Sequence, residues 1–337
     1  MCKVTLAIPV YNVSHFIEST LLSALNQDFK DYEILIIDDK GTDNSMEIIR
    51  MLQHTHTKGD IIRIIEHQQN EKLSTARNTA IENANGKYIM FLDGDDTISP
   101  NCISLLYQEA ENTQAEMSCG SIQQLTEEGV IQKNMIYPHT TFDNFDLIKQ
   151  IFYNGFIFET PLWNKLYRVD FLNKYQIRCI PHISFDDVYF TYQIMAYCKK
   201  CCFTSDITYF YVIQSHSLTN APANRNRYLQ ICKEYIQIQQ SRKDLLRKIH
   251  DTEIKQLLTR FLINKSIRNC KKIMGFLSLT PKEKKEYCIS LLDFSKVDYK
   301  NMWYYKHKPL SQIILFIFAK SPSLLKYKAI QLYSKIS

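Results

Sequence analysis

The sequence predicts a doubly wound, mainly parallel α/β sheet followed by a helical, basic C-terminal region. Three observations carry that expectation. Short apolar runs alternate strictly with helical patterns over the first hundred of 337 residues, which is the pattern of a parallel sheet with helices on both faces. Acidic pairs and clusters stand directly after the apolar runs. Finally, residues 1–220 hold 17 basic and 27 acidic side chains, net −10, whereas residues 221–337 hold 24 and 8, net +16. The overall +6 describes neither part, and a boundary near 220 is expected.

Val4–Val10 reads as a buried strand. A helix capped by Ser14 follows, with Ile17, Leu21, Ala24 and Leu25 on one side. Glu33–Ile37 is the second strand, and a helix opens near Asp43. Ile61–Ile65 is the third strand. The next helix is read as capped by Ser74 and stopped at Gly86. Lys87–Leu92 is the fourth strand. A strand pair near Ala115–Gln124 and Val130–Met135, a helix near Asn144–Phe152, and a Tyr-rich stretch at Tyr209–Ile213 suggest the far edge of the sheet. Beyond Pro222, Tyr228–Ile249 and Glu253–Ile273 are helical with basic outer faces. Thr280-Pro281-x-Glu283 is a capping box with proline at the first helical position.

Composition excludes several classes. At 45% hydrophobic and 23% charged, the chain is an ordinary globular protein rather than a disordered one. Of its eight glycines no two stand two apart, so neither a Gly-x-Gly dinucleotide fingerprint nor a Gly-x-x-x-x-Gly-Lys phosphate loop exists. Ten cysteines are scattered, and Cys198-x-x-Cys201 has no second pair to complete a zinc site. Reduced core cysteines in a cytoplasmic protein are expected, because Met1-Cys2-Lys3 leads straight into a strand without a secretory peptide. The apolar run Ile313–Ala319 is far shorter than the ~20 residues of a membrane span.

In doubly wound sheets ligands sit at the carboxyl ends of the strands. That edge gathers Pro9–Asn12, Asp38–Asp39, Glu66–Asn70 and Asp93–Asp96. Asp93 and Asp95, two apart, can face one target on extended chain. Adjacent carboxylates repel unless a cation joins them, and Mg²⁺ or Mn²⁺ with oxygen ligands does so while also holding phosphates. The competing reading is a solvated Asp-Gly-Asp turn. Asp39 can accept hydrogen bonds from a ligand. Arg77, read in the first turn of its helix, opposes the helix dipole unless an anion is near.

These residues, taken in order, resemble family-2 inverting glycosyltransferases of the nucleotide-diphospho-sugar, or GT-A, fold. The matching segments are Pro9-Val10-Tyr11-Asn12, Asp38-Asp39, Leu73-Ser74-x-Ala76-Arg77-Asn78, Phe91-Leu92-Asp93-Gly94-Asp95-Asp96, Trp163-Asn164-Lys165-Leu166-Tyr167, Ile183-Ser184-Phe185-Asp186-Asp187-Val188 and Ser217-Leu218-Thr219. The resemblance spans about 3–220 and implies a GT-A-like Rossmann-type catalytic domain over 1–220. It implies that Pro9, Tyr11 and Asp39 hold the nucleotide base beside Asn12, and that Asp93 and Asp95 form a metal site for Mn²⁺ or Mg²⁺. Arg77 would lie beside the nucleotide. Asp187 would be the general base, with Asp186 where the family usually has Glu. Trp163, Lys165 and Asp96 would line the acceptor side, although Trp163 reads equally as core. Lys40 and Lys72 depart from the family pattern and place extra cations at the nucleotide edge. His216 reads as structural. The implied activity is metal-dependent transfer of a sugar from a nucleoside-diphosphate-sugar, UDP favoured, to a glycan or lipid-linked hydroxyl, with inversion, in cell-surface polysaccharide synthesis.

Other classes fit less well. A processive synthase needs spanning helices and an Arg-Trp motif that neither Trp163 nor Trp303 provides. A sugar nucleotidyltransferase needs a glycine-rich loop, and a non-catalytic binding module does not need Asp93, Asp95 and Asp187 intact. For the basic region no nucleic-acid-reading element is found. Leu310, Ile313, Ile314, Ile317 and Phe318 share one helical face; after Pro322, Leu325, Ala329, Leu332, Tyr333 and Ile336 oppose Lys326, Lys328 and Lys335. This basic amphipathic pattern suits an anionic membrane surface on the cytoplasmic side, with packing against the catalytic domain as the alternative.

Overall fold

The computed structural model describes residues 2–213, 224–294, 317–318 and 320–336. Its first elements alternate as the sequence requires: β1 (Val4–Val10), α1 (Ile17–Leu25), β2 (Tyr32–Asp38), α2 (Ser45–Thr55), β3 (Ile62–Glu66), α3 (Lys72–Glu82) and β4 (Tyr88–Phe91). All seven residues of β1 are buried, as expected of a parallel strand covered on both faces. Strands β3, β2, β1 and β4 lie in that order and all pair in parallel. The order reverses between β1 and β4, so the crevice beyond their carboxyl ends is the topological switch point.

The second half is mixed. It contains β5 (Thr97–Ile98), α4 (Cys102–Thr113), β6 (Met117–Thr126), β7 (Ile131–Met135), β8 (Thr140–Phe142), α5 (Asp146–Tyr153), β9 (Lys165–Arg168), α6 (Val169–Lys174), α7 (Asp186–Tyr197) and β10 (Cys201–Ile213). The sheet continues β4-β9-β6-β10-β5, with β9 antiparallel to both neighbours and the long β6–β10 pair parallel. Four strand gaps separate β4 from β5, roughly 19 Å across a flat sheet. The chain joins them through Leu92–Asp96, and Asp96 N–H donates back to Asp93 O at 3.2 Å, so the link is a turn. A turned link cannot span a flat sheet, and the sheet therefore curls until β10 and β5 stand beside the end of β4. The Tyr-rich stretch is thus not the edge the sequence suggested: β10 lies between β6 and the short β5.

Several local readings change. Helix α1 buries Ile17, Leu21, Ala24 and Leu25 as expected, but its N-cap is Phe16 without a side-chain bond. The Ser14 N–H instead donates to Asp43 Oδ2. Helix α3 begins at Lys72 rather than after Ser74, and ends at Glu82. Gly86 is a close-approach residue and not a helix stop. A Cβ there would lie 2.5 Å from Thr5 N and 2.6 Å from Tyr88 O. All ten cysteines are free, and all but Cys2 are buried.

Contacts divide the chain into two compact units, Met1–Leu147 with Glu159–Asn220 and Ile148–Phe158 with Ala221–Ser337. Within the second, α8 (Arg225–Lys248), α9 (Thr252–Gly275), α10 (Pro281–Leu291) and α11 (Ser323–Ile336) form the described helices. The segment from α5 joins them: Phe152 packs edge-on against Phe261 and Tyr153 Oη donates to Glu253 Oε1 at 2.8 Å. The Thr280–Glu283 capping box is complete, with Pro281 opening α10. Not every cation faces outward, however. Arg242, Lys243 and Lys326 are buried. Lys326 Nζ donates to Leu292 O at 2.9 Å, and burial lowers its pKa to about 8. In α11 the buried face is Lys326, Tyr327 and Ile330, while Leu325 and Leu332 are 56% and 64% exposed with Ala329 and Lys328 beside them. Leu310, Ile313, Ile314, Trp303 and the His216–Thr219 segment lie outside the described residues, as do the side chains of Tyr333, Lys335 and Ile336. No helix among the described residues is long and apolar enough to cross a membrane.

Gly86→Ala is expected to destabilise the first unit by about 1–3 kcal/mol, because the new methyl meets backbone and not a yielding side chain. Chemical denaturation checks this; an unchanged midpoint would show that β1 and β4 can separate locally.

Candidate active site

Every strand of the parallel half delivers an acidic or polar residue to the switch-point edge. Pro9 is buried in β1 and Tyr11 just beyond is 46% exposed. Asn12 adopts φ 53°, and its Oδ1 accepts from Thr42 N at 2.6 Å. That bond shapes the loop after β2, so the Asn12 side chain braces the site wall. At the end of β2, Asp38 Oδ1 accepts from Lys40 N, and Asp39 is 2% exposed. His67 Nδ1 lies 2.7 Å from Asp39 Oδ1, and Glu71 N donates to the same oxygen at 2.8 Å.

The Asp93–Asp96 turn presents carboxylate oxygens of Asp93, Asp95 and Asp96 within 4.8 Å of one another. The sequence argument placed Asp93 and Asp95 on extended chain; the structure brings them together on a turn instead. Gly94 permits it, since a Cβ there would come within 3.0 Å of Val13 Cγ2 and 3.4 Å of Pro9 O. Thr20 Oγ1 further donates to Gly94 O at 3.1 Å and ties the turn to α1. Like charges this close need compensation. Arg77, 3% exposed, supplies part of it through a 2.6 Å ion pair with Asp93 Oδ1. Arg77 lies in the second turn of α3, so burial against Asp93 and the Phe91 ring, not helix polarity, explains its position.

Asp96 is held differently. Its Oδ2 accepts from Tyr209 Oη and its Oδ1 from Val212 N, both at 2.8 Å. Burial first, then the Asp95 and Asp93 carboxylates, raises its pKa well above the ordinary carboxylate range. At 1% exposed, Asp96, expected on the acceptor side, turns both carboxylate oxygens to β10. Trp163 is 8% exposed and stacks on Tyr209 at 4.5 Å and on Tyr211 at 5.5 Å. It is therefore a core residue that backs the turn through Tyr209. Lys165, also expected on the acceptor side, is fully buried. Its Nζ donates to Pro161 O and Asn164 Oδ1 at 2.8 Å. Burial lowers its pKa, opposed by the fields of Cys119, Glu159 and Asp187.

Asp186 and Asp187 open α7, where the N-terminal dipole favours carboxylates. The Asp186 side chain lies outside the described atoms; Asp187 is half-buried. The loop leading to them is pinned to α3. Asn78 Nδ2 donates to Cys179 O at 2.9 Å and Asn78 Oδ1 accepts from Cys179 N at 2.8 Å. Thr75 Oγ1 and Ser74 Oγ accept from His182 N and Ile183 N. Lys72 Nζ donates to His182 O at 3.0 Å, and Lys40 Nζ pairs with Glu66 at 2.7 Å. Both cations that depart from the family pattern therefore have structural partners. Sequence reading assigned no role to Tyr209, His67 or this pinning face. His67 lay within the Glu66–Asn70 segment expected at the ligand edge, and the pinning face left the Ser74–Asn78 spacing of four on one side of a helix.

Asn78→Ala is expected to speed amide exchange over 179–185 by roughly tenfold or more while β1 stays protected, since two hydrogen bonds to the loop backbone are lost. Uniform exchange across both segments would contradict the pinning role.

Comparisons with known proteins agree with this fold. Residues 5–175 match the model of glycosyl transferase family 2, a span that stops short of Asp186 and Asp187. Glycosyltransferase GlyA of Streptococcus pneumoniae is 29% identical over 230 residues, 64% of this chain and 31% of that protein. The poly(ribitol-phosphate) beta-glucosyltransferase of Bacillus spizizenii is 31% identical over 218 residues, 63% of this chain and 32% of its own length. The chain thus spans about a third of the length of these two curated relatives. In fold it is similar to Staphylococcus aureus TarS 1-349, solved in complex with UDP-GlcNAc, with a TM-score of 0.73 at 18% identity over 99% of this chain and 91% of that one. The matched span covers β1 to β9 and carries Asp39, Arg77 and the Asp93–Asp96 turn, and the chain belongs to glycosyl transferase family 2.

Proposed function

We propose that the protein transfers a sugar from a nucleoside-diphosphate-sugar, a UDP-sugar in preference, to a hydroxyl of a glycan or lipid-linked acceptor during synthesis of a cell-surface polymer. The observation that carries this reading is the Asp93–Asp95–Asp96 cluster at the switch point, braced by Arg77 and lying on the same edge as buried Asp39. The name of one relative, a poly(ribitol-phosphate) beta-glucosyltransferase, supports the acceptor class, and the fold neighbour solved with UDP-GlcNAc is in keeping with a UDP-sugar donor.

The donor set fits a hard divalent cation such as Mn²⁺ or Mg²⁺, because Asp93 and Asp95 offer oxygen ligands whereas both Asp96 oxygens are engaged by β10. Bound there, such a cation supplies Lewis-acid stabilisation of the charge that grows on the departing diphosphate. Arg77 holds Asp93 in position through their ion pair. Tyr11 and Asp39 stand where the base would rest. Asp187 takes the proton of the acceptor hydroxyl as its oxygen bonds to the anomeric carbon. The bond from that carbon to the diphosphate oxygen breaks on the opposite side, and its electron pair leaves with the nucleoside diphosphate. One displacement inverts the anomeric centre.

Asp187→Asn should reduce transferase turnover by roughly a hundredfold or more while leaving nucleotide binding intact, the loss expected for a positioned general base. Wild-type turnover in the folded variant would refute that assignment. A thermal-shift panel of UDP-, GDP- and dTDP-sugars with and without Mn²⁺ tests the donor, because ligand binding raises apparent stability by mass action. A flat response across the panel would overturn the reading, as would tight binding without any transfer or hydrolysis, which marks a non-catalytic module.

The second unit supports a peripheral position on the cytoplasmic membrane face. In α11 the exposed Leu325, Ala329 and Leu332 form an apolar stripe beside Lys328, in a region carrying net +16. Anionic lipid attracts about 1 kcal/mol per lysine near the surface. Co-sedimentation with phosphatidylglycerol vesicles should fall with salt and with the pair Leu325→Ser and Leu332→Ser. No binding at low salt would leave these helices with a purely structural role.

A further inference from the structure

His67 follows β3 within the segment expected at the ligand edge, where no role was assigned to it, and it is not a member of the acidic cluster. Its ring nonetheless bridges the base end of the site to α3. Nδ1 lies 2.7 Å from Asp39 Oδ1 and Nε2 lies 2.9 Å from Thr79 Oγ1. A neutral ring with its proton on Nδ1 satisfies both contacts, donating to the carboxylate and accepting from the threonine hydroxyl. The His67 N–H also donates to Asp38 O at 2.9 Å, which fixes the backbone beneath the ring. On the other side of Asp39, the Glu71 N–H donates to the same Oδ1 at 2.8 Å. Among the described residues both bonds reach Oδ1 and none reaches Oδ2. The carboxylate is thereby locked about its terminal torsion, which otherwise rotates in a broad well.

We infer that His67 is a specificity-determining positioning residue for the nucleotide base. By clamping Asp39 Oδ1 between the imidazole and the Glu71 N–H, it keeps Oδ2 as a fixed acceptor. This inference rests on the reading of Asp39 as a base-binding residue. A fixed carboxylate oxygen takes a hydrogen bond from an imide N–H, as in uracil, and repels the ring-nitrogen lone pair that cytosine presents at the same place. A carboxylate free to rotate loses that discrimination, because its oxygens turn away from the lone pair or let water intervene. His67 thus acts on selectivity between two pyrimidines of equal size, a property that general destabilisation of the fold does not change.

The test is the ratio of CDP to UDP dissociation constants, measured by calorimetry with Mn²⁺ on the full chain. Wild type should bind UDP the more tightly. His67→Ala should weaken UDP roughly tenfold, the loss expected when one partner of a buried charged hydrogen bond is removed, and change CDP less than about twofold. The ratio therefore falls toward one. His67→Asn, whose amide N–H takes the place of Nδ1–H, should restore most of the selectivity. Thr79→Val, which unpins the ring and is the milder change if the alanine variant does not fold, should lower the ratio by a few-fold. A wild-type ratio in folded His67→Ala, or in Thr79→Val, overturns the inference. Equal binding of UDP and CDP by the wild-type chain overturns the reading of Asp39 itself and is recognised before any variant is made.

Discussion

The return of β10 onto the end of β4 is the constraint on which the rest of the site depends. Three carboxylates within 4.8 Å of one another do not gather unaided. Arg77 balances Asp93 from α3, and Tyr209 Oη with Val212 N satisfies Asp96 from β10. These donors reach the turn only because β9 and β6 curl the sheet through antiparallel pairing, and because β5 pairs with β10 immediately after the turn. Trp163 fills the inside of that curl by stacking on Tyr209. Asp96 is thus a structural acid. Its raised pKa follows from burial beside two other carboxylates, and its two hydrogen bonds are what make that burial tolerable.

Helix α3 plays a second organising role. It sends Arg77 to the acidic turn and Thr79 to His67. Between those two directions, Ser74, Thr75 and Asn78 hold the loop that enters α7. One short helix therefore ties the acidic turn to the loop that enters α7, the rigid support that the proposed catalysis would require. The same logic explains why Lys72 and Lys40 coexist with the nucleotide edge. Each cation has a local oxygen partner and does not add an uncompensated charge to it.

The parallel half was almost fully legible from sequence because its strands are continuous apolar runs and its helices carry one buried stripe. Val4–Val10 matches β1 residue for residue. The acidic residues were legible too, since the ligand-edge rule needs only the strand ends. What could not be read arises from tertiary contact. Antiparallel β9 is four residues long and β5 only two, too short for periodicity to register. The burial of Lys165, Lys326, Arg242 and Lys243 runs against their chemistry, and each depends on carbonyls or rings contributed from elsewhere. The Ser14 and Ser74 caps failed because a hydroxyl is equally useful in bracing a loop, and sequence alone does not say which it does.

The scarcity of glycine and the acidity of the first unit are two sides of one design. A glycine-rich loop binds phosphate by offering backbone N–H groups and needs no cation. Here the corresponding turn offers carboxylates, with Arg77 the cation shown paired to it and Gly94 allowing its close approach to β1. Two carboxylates, Asp93 and Asp95, stand against one guanidinium, Arg77, so on the proposed function a diphosphate approaching alone would meet net repulsion. A divalent ion reverses the sign of that field, and the phosphates and the ion are then best bound together. Of the −10 carried by residues 1–220, the part at this sheet edge is a few carboxylates, and under the proposed function they would hold an anionic donor only in the company of its cation.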